Sequence, residues 1–135
     1  MTNYRIADLM TRQVVYLSAQ TTLDEAARAM ADADIGDIVV TDGQSLFGMV
    51  TDRDIVVRAV AEHKDPAKTT LGEIATREIV MIEQSSTGAE AARLMRDRAV
   101  RRMLVCDVDR QLVGIISLGD LAQQLHPTEA TTPTA

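Results

Sequence analysis

The sequence predicts an α+β fold of two tandem α/β-type repeats, each a small three-stranded sheet with helices. Two observations support this fold class. Short β-branched segments alternate with segments whose apolar residues recur at helical spacing. The same order of segments then occurs twice within the 135 residues. Because two similar units that face one another create a pseudo-two-fold axis, we expect this symmetry, with clefts between the repeats.

The two repeats align over most of their length. Residues 6–42 fall on residues 71–107, and residues 46–56 fall on residues 112–122 after one extra residue in the second turn. About 15 of roughly 48 aligned positions are identical, against about three expected by chance, which indicates a duplication. The expected organisation is a first repeat at residues 1–61, a linker at 62–69, a second repeat at 70–125 and a disordered tail at 126–135.

Each repeat has the same predicted elements in the same order. A short amphipathic turn begins each repeat, and capping boxes at Thr22, Thr70 and Thr87, each with Glu three residues later, predict helix starts. The predicted strands are residues 14–17, 38–41 and 46–50 in the first repeat, and 79–82, 103–106 and 112–116 in the second. Closing helices are predicted at residues 52–61 and 118–125.

The composition argues against several classes of protein. The net charge is −6, whereas a general nucleic-acid binder usually carries a basic surface. No apolar run approaches the roughly 20 residues of a membrane span. The only cysteine, Cys106, lies in a predicted core strand and excludes an internal disulfide framework. We therefore expect a cytoplasmic protein without nucleic-acid or membrane partners.

A short motif closes each repeat. Residues 48–54 and 114–120 both read Gly, two apolar residues, Thr or Ser, two variable residues and Asp. A strand that runs into a helix start gathers unpaired backbone N–H groups, which suit an anion. The hydroxyl and carboxylate of each copy, Thr51 with Asp54 and Ser117 with Asp120, could hold a phosphorylated sugar. As an alternative, the same residues could act only as helix caps.

The duplicated segment order with this closing motif resembles the cystathionine β-synthase (CBS) domain, and a tandem pair resembles a Bateman module. The resemblance extends from Ile6 to about Leu125, and the chain is similar to short stand-alone bacterial CBS-pair proteins, often linked with stress or energy status. It implies a non-enzymatic regulatory module that binds AMP, ATP, NAD or S-adenosylmethionine. It also implies a homodimer, for which Ile55, Val56, Val60, Leu121 and Leu125 are the candidate surface.

The resemblance also assigns roles by position. Asp54 and Asp120 would accept hydrogen bonds from ribose hydroxyls, with Thr51 and Ser117 near the ribose and phosphate. The remaining candidates would line the adenine or meet phosphates. The adenine-lining candidates are Val15, Tyr16, Ile38, Val80, Met81 and Met103, and the phosphate candidates are Arg53, Arg101 and Arg102. No catalytic residue, catalytic cofactor or metal site is expected, because no nucleotide-hydrolase or metal-ligand motif is present.

The two copies differ in charge. Gly36-Asp37 of the first repeat aligns with Arg101-Arg102 of the second, and Arg53 aligns with Gly119. Asp37 would repel a phosphate if it pointed inward. We therefore expect unequal ligand binding by the two clefts. An alternative function is a ligand-free module for dimerisation or protein interaction.

Overall fold

The computed structural model describes residues 4–125, so the predicted tail at residues 126–135 lies outside the described residues. The chain forms two compact units. The first unit is Val14–Ile79, and the second unit combines residues 4–13 with residues 80–125. These bounds are offset from the sequence repeats, because the opening segment of each repeat lies in the other repeat's unit.

The elements follow the predicted order. They are α1 (Ile6–Leu9), β1 (Tyr16–Ser18), α2 (Leu23–Ala33), β2 (Asp37–Asp42), β3 (Ser45–Thr51), α3 (Asp52–Ile55), a π-helical turn (Val56–Val60), α4 (Leu71–Ile74), β4 (Met81–Glu83), α5 (Gly88–Arg98), β5 (Arg102–Cys106), β6 (Leu112–Ser117) and α6 (Leu118–Leu125). None of the described helices is long and apolar enough to cross a membrane.

Both sheets have the same topology. In the first unit the strand order is β1-β2-β3, with β1 parallel to β2 and β2 antiparallel to β3. The second unit repeats it as β4-β5-β6. Each antiparallel pair has a register shift, after Val40 in one unit and after Val105 in the other. The expected α+β class with a three-stranded sheet in each repeat is confirmed.

The predicted capping boxes set the helix starts. At α5, the Glu90 backbone N–H donates to Thr87 Oγ1 at 3.1 Å, and the Thr87 N–H donates to Glu90 Oε1 at 2.8 Å. At α2 and α4, the N–H groups of Thr22 and Thr70 donate to the Glu three residues later. These bonds satisfy backbone groups that a helix start would otherwise leave unpaired.

Each unit has its own apolar core of aliphatic side chains. In the first unit, Leu23, Met30 and Ile38 pack with residues of β3 and α4. In the second unit, Ile6 of α1 packs with Met95 and residues of β5 and β6. Each core thus includes a helix that belongs, by sequence, to the other repeat.

This exchange of opening segments is secured by backbone pairing. In the second unit, Thr11 pairs with Ile115 of β6, and in the first unit Thr76 pairs with Met49 of β3. The crossing backbone passes directly over a glycine of the closing motif. A Cβ atom at Gly48 would overlap the Thr76 carbonyl oxygen, and one at Gly114 would lie 2.8 Å from the Thr11 carbonyl oxygen. The motif glycine is therefore explained by close backbone approach.

The helix that follows β3 departs from the prediction. The expected α-helix over residues 52–61 is only four residues long, and a π-helical turn at Val56–Val60 continues it. Val56 and Val60 are more than half exposed, as a candidate surface requires, whereas Ile55 packs against the core. Leu121 is only 4% exposed and belongs to the second core, so its assignment to that surface is wrong. The side chain of Leu125 lies outside the described part.

Candidate functional site

The motif acid and hydroxyl of the second unit cap helix α6 reciprocally. The Ser117 N–H donates to Asp120 Oδ2 at 2.9 Å, and the Asp120 N–H donates to Ser117 Oγ at 3.1 Å. Both residues are partly buried. The cap uses one carboxylate oxygen of Asp120, and no described residue bonds the other, Oδ1.

The first unit has the same cap but a different neighbour. The Thr51 N–H donates to Asp54 Oδ2 at 2.9 Å, and the Asp54 N–H donates to Thr51 Oγ1 at 3.1 Å. Here the second oxygen, Asp54 Oδ1, lies 3.8 Å from Nε of Arg58. The Asp54 carboxylate, which is the predicted acceptor for ribose hydroxyls, thus lies beside the Arg58 guanidinium of the same unit.

Arg58 is fixed by two further bonds. Its Nη1 donates to the Ile74 carbonyl oxygen at 2.9 Å and to Thr76 Oγ1 at 3.1 Å. Arg58 therefore links the motif acid to α4 and to the segment that crosses Gly48. Sequence reasoning missed this residue, although its position four residues after Asp54 is the spacing of a helical ion pair.

A cavity of about 420 Å³ lies beside the second copy of the motif. Six residues line it: Arg101, Arg102, Ser117, Leu118, Gly119 and Ala122. Arg101 is exposed and makes no ion pair with a described residue, whereas Arg102 is partly buried. Three predicted residues, the two arginines and Ser117, are thus brought together. Sequence reasoning missed Leu118, Gly119 and Ala122, which apolar helix periodicity does not distinguish from packing residues.

The corresponding place in the first unit holds a carboxylate. The backbone is alike in both units: the Asp52 N–H donates to Gly36 O at 3.0 Å, and the Leu118 N–H donates to Arg101 O at 2.8 Å. Asp52, the counterpart of Leu118, reaches back over Gly36, the counterpart of Arg101. A Cβ atom on Gly36 would lie only 2.9 Å from Asp52 Oδ2.

The other predicted residues fall into two groups. Tyr16 is exposed and Val15 and Met81 are partly buried, so their side chains are accessible, whereas Val80 is buried. The carbonyl oxygens of Val15 and Val80 accept from the N–H groups of Val39 and Leu104 and bind β1 and β4 to their neighbours. These two carbonyls are therefore occupied by sheet pairing.

Ile38 and Met103 are fully buried within their unit cores. Their side chains face the apolar interior rather than an open surface, which argues against the predicted contact with an adenine ring. Arg53 is exposed, and only its backbone is held, by donation to Asp52 Oδ1 at 2.8 Å. No group of three or more His, Cys, Asp or Glu side chains could hold a metal ion within residues 4–125. Cys106 is a buried free thiol.

The fold and the paired strand-to-helix caps define a tandem-repeat α+β module. The sequence model of the CBS domain matches residues 6–60 and 71–127. The chain belongs to the CBS domain family, and the resemblance seen in the sequence is confirmed.

Individual relatives are of similar size. The CBS domain-containing protein YhcV of Bacillus subtilis is 38% identical over 117 residues, which cover 87% of this chain and 82% of YhcV. The structure of a putative signal-transduction protein with CBS domains from Burkholderia ambifaria has a TM-score of 0.79 and 27% identity, with 96% of each chain covered. The CBS domain pair of protein MJ0100, in complex with 5-methylthioadenosine and S-adenosyl-L-methionine, has a TM-score of 0.76 at 22% identity and covers 92% of this chain and 97% of its own.

Proposed function

We propose that this protein is a regulatory module whose second unit binds an adenine nucleotide, with the phosphate against Arg101. The single observation that carries the proposal is the cavity of about 420 Å³, which joins two arginines to a hydroxyl at a helix start. Its volume lies within the roughly 300–1,000 Å³ typical of small-molecule sites.

The charges favour a phosphate-bearing ligand. Guanidinium groups bind phosphate oxygens through paired, charge-assisted hydrogen bonds. Arg101 lacks an ion-pair partner among the described residues, so its charge is available at no cost of breaking a pair. The related MJ0100 pair binds 5-methylthioadenosine and S-adenosyl-L-methionine, which supports adenosine as the common part of the ligand. AMP, ATP and NAD add the phosphate that the arginines suit.

The motif residues provide the sugar contact. Ser117 lines the cavity, and Asp120 fixes its hydroxyl through the reciprocal cap. Asp120 Oδ1 remains as an acceptor for a ribose hydroxyl. The ligand would then regulate by its difference in affinity for alternative arrangements of the protein, since binding can shift an equilibrium by no more than that difference.

Titration calorimetry with AMP, ATP, NAD, S-adenosylmethionine and 5-methylthioadenosine tests the proposal. We expect the phosphate-bearing ligands to bind about tenfold or more tightly than 5-methylthioadenosine, because charge-assisted hydrogen bonds are worth about 1.5–3 kcal/mol each. Arg101→Ala should abolish this preference. The matched control is Arg53→Ala, which removes an exposed arginine beside the first motif and should leave it intact. Absence of any heat of binding in protein shown to be folded by circular dichroism would refute the proposal.

A second function, self-association, is favoured by the apolar surface of the π-helical turn. Val56, Val57 and Val60 are 57%, 45% and 61% exposed, an unusual concentration of aliphatic surface on one turn. We propose that this turn is part of a homodimer contact. Light scattering should show a dimer that Val60→Asp converts to monomer, while Val108→Asp, at an exposed hairpin position, has no effect. A wild-type protein that is monomeric at micromolar concentration would contradict it.

A further inference from the structure

Asp52 of the first unit is the counterpart of Leu118, which lines the cavity of the second unit. Its carboxylate reaches over Gly36, and its Oδ1 is held at 2.8 Å by the Arg53 N–H. In the second unit the corresponding side chains, Arg101 and Leu118, line the open cavity. The backbone hydrogen bond at this junction is the same in both units, so the difference resides in the side chains.

The two units differ in charge at these two positions. Arg101 and Leu118 together carry one positive charge, whereas Gly36 and Asp52 together carry one negative charge, a difference of two. A carboxylate placed next to a phosphate repels it and so disfavours binding of the ligand. The carboxylate also takes the space that the side chain at position 36 would need to reach a phosphate.

From these contacts we infer that Asp52 is the specificity-determining residue that excludes phosphate-bearing ligands from the first unit. The inference rests on the proposed function, since it concerns the same ligand class. It assigns Asp52 a role different from that of Asp54. Asp54 caps the helix, while Asp52 is an exposed anion held beside Gly36, where it would repel a ligand phosphate.

The test replaces Gly36 and Asp52 with the residues that the second unit has at these positions. The variant Gly36→Arg/Asp52→Leu should bind one AMP per chain more than the wild type in titration calorimetry. Addition of Arg101→Ala to this variant should weaken AMP binding by about tenfold or more at the site in the second unit only. The control Asp42→Asn/Gln44→Arg changes the net charge equally at the exposed β2–β3 turn and should leave the number of bound AMP molecules unchanged.

The isosteric variant Asp52→Asn is a second test, which does not depend on the folding of the double variant. It removes the charge alone, and AMP affinity of the first unit should rise by about tenfold or more relative to wild type. A double variant that is folded but binds no more AMP than wild type overturns the inference, as does wild-type protein that already binds AMP in both units. Wild-type protein that binds none, with a double variant that binds one, supports the role of Asp52 and refutes the proposed function.

Discussion

The two units have the same sheet topology and the same reciprocal cap, but they differ in what surrounds the cap. In the first unit, Asp54 faces Arg58 and Asp52 covers Gly36. In the second unit, no described residue bonds Oδ1 of Asp120, and Arg101 lines a cavity. The motif acid of the first unit thus has a cation of the same unit beside it, whereas the motif acid of the second unit has no ion pair with a described residue.

Some residues of the motif have a structural role in both units, whereas the residues around the motif differ in chemistry. The close approach at the glycine and the reciprocal cap between the hydroxyl residue and the acid are the same in both units, so the fold explains these contacts. The surroundings of the cap differ at positions that the motif leaves variable, such as 52 and 118, and at the residue just before the second strand of each unit. On the proposed function, the motif accounts for the fold of both units, and these other positions account for ligand binding.

The largest expected effect tests the structural part of the motif. Gly48→Ala would place a Cβ atom against the Thr76 carbonyl and should destabilise the protein by about 3 kcal/mol, at the upper end of overpacking costs. Gly114→Ala should be comparable, because the Thr11 carbonyl also lies within clashing distance of its site. Chemical denaturation is the measurement.

Gly119→Ala is the control for that comparison. The nearest atom to its added Cβ, Ser117 Oγ, is 3.6 Å away, which is ordinary contact, and alanine suits a helix better than glycine. Its stability should therefore be unchanged or higher. If Gly48→Ala were as stable as Gly119→Ala, close backbone approach would not explain the motif glycine.

The next effect concerns the two motif acids. Asp120→Asn should weaken AMP binding by about tenfold, because it removes a charged acceptor for the ribose. The matched variant Asp54→Asn should leave AMP affinity unchanged. Calorimetric titration of both distinguishes them, and equal losses of affinity would show that the units share the ligand equally.

A smaller effect is expected at Arg58. Arg58→Met removes bonds to the Ile74 carbonyl and Thr76 Oγ1 and should cost about 1 kcal/mol, reduced from the usual value for charged bonds because the side chain is nearly half exposed. The control is Arg53→Met, since the Arg53 side chain has no hydrogen bond or ion pair with described residues. Equal denaturation midpoints for the two variants would contradict the proposed link to α4.

The smallest effect is a dependence on pH. The hydrogen bond from the Thr87 backbone N–H holds the pKa of Glu90 below its ordinary value of 4.5. The stabilisation by Glu90 is therefore present above that value and is lost as the pH falls through the lowered pKa of the folded state. Glu90→Gln should lower Tm near neutral pH and match wild type at the acid end. Glu83→Gln, which removes an exposed carboxylate that caps no helix, is the matched control.

Much of the fold could be predicted from the sequence because its signals are local. The capping boxes at Thr22, Thr70 and Thr87 each span four residues and indicate where a helix starts. Because the two repeats are similar, the elements predicted in one repeat support those predicted in the other. The exchange of α1 and α4 could not be predicted, since it depends on which distant strand edge each segment joins. In the sequence, Gly48 and Gly114 reflect this exchange, because the crossing backbone approaches both glycines closely.

The candidate site was predictable in part. Arg101, Arg102 and Ser117 line one cavity, and charge and motif position indicated them without knowledge of packing. Their contact with a ligand stays a prediction. Ile38 and Met103 are buried, which the sequence did not indicate, because an apolar residue at a strand start has the same pattern whether it faces a ligand or a core. Asp52 was overlooked since its importance depends on Gly36, a neighbour in space that lies before the second strand.

The exchanged opening segments also affect the order of folding during synthesis. The first unit can be completed as soon as residue 79 has left the ribosome, because all its parts have then been made. Residues 4–13 are made before the first unit and their partners in β6 after it, so this segment must wait unpaired until β6 has been made. Cleavage of the chain between the sequence repeats would deprive each unit of a core helix. The two repeats thus depend on one another as a single translated chain.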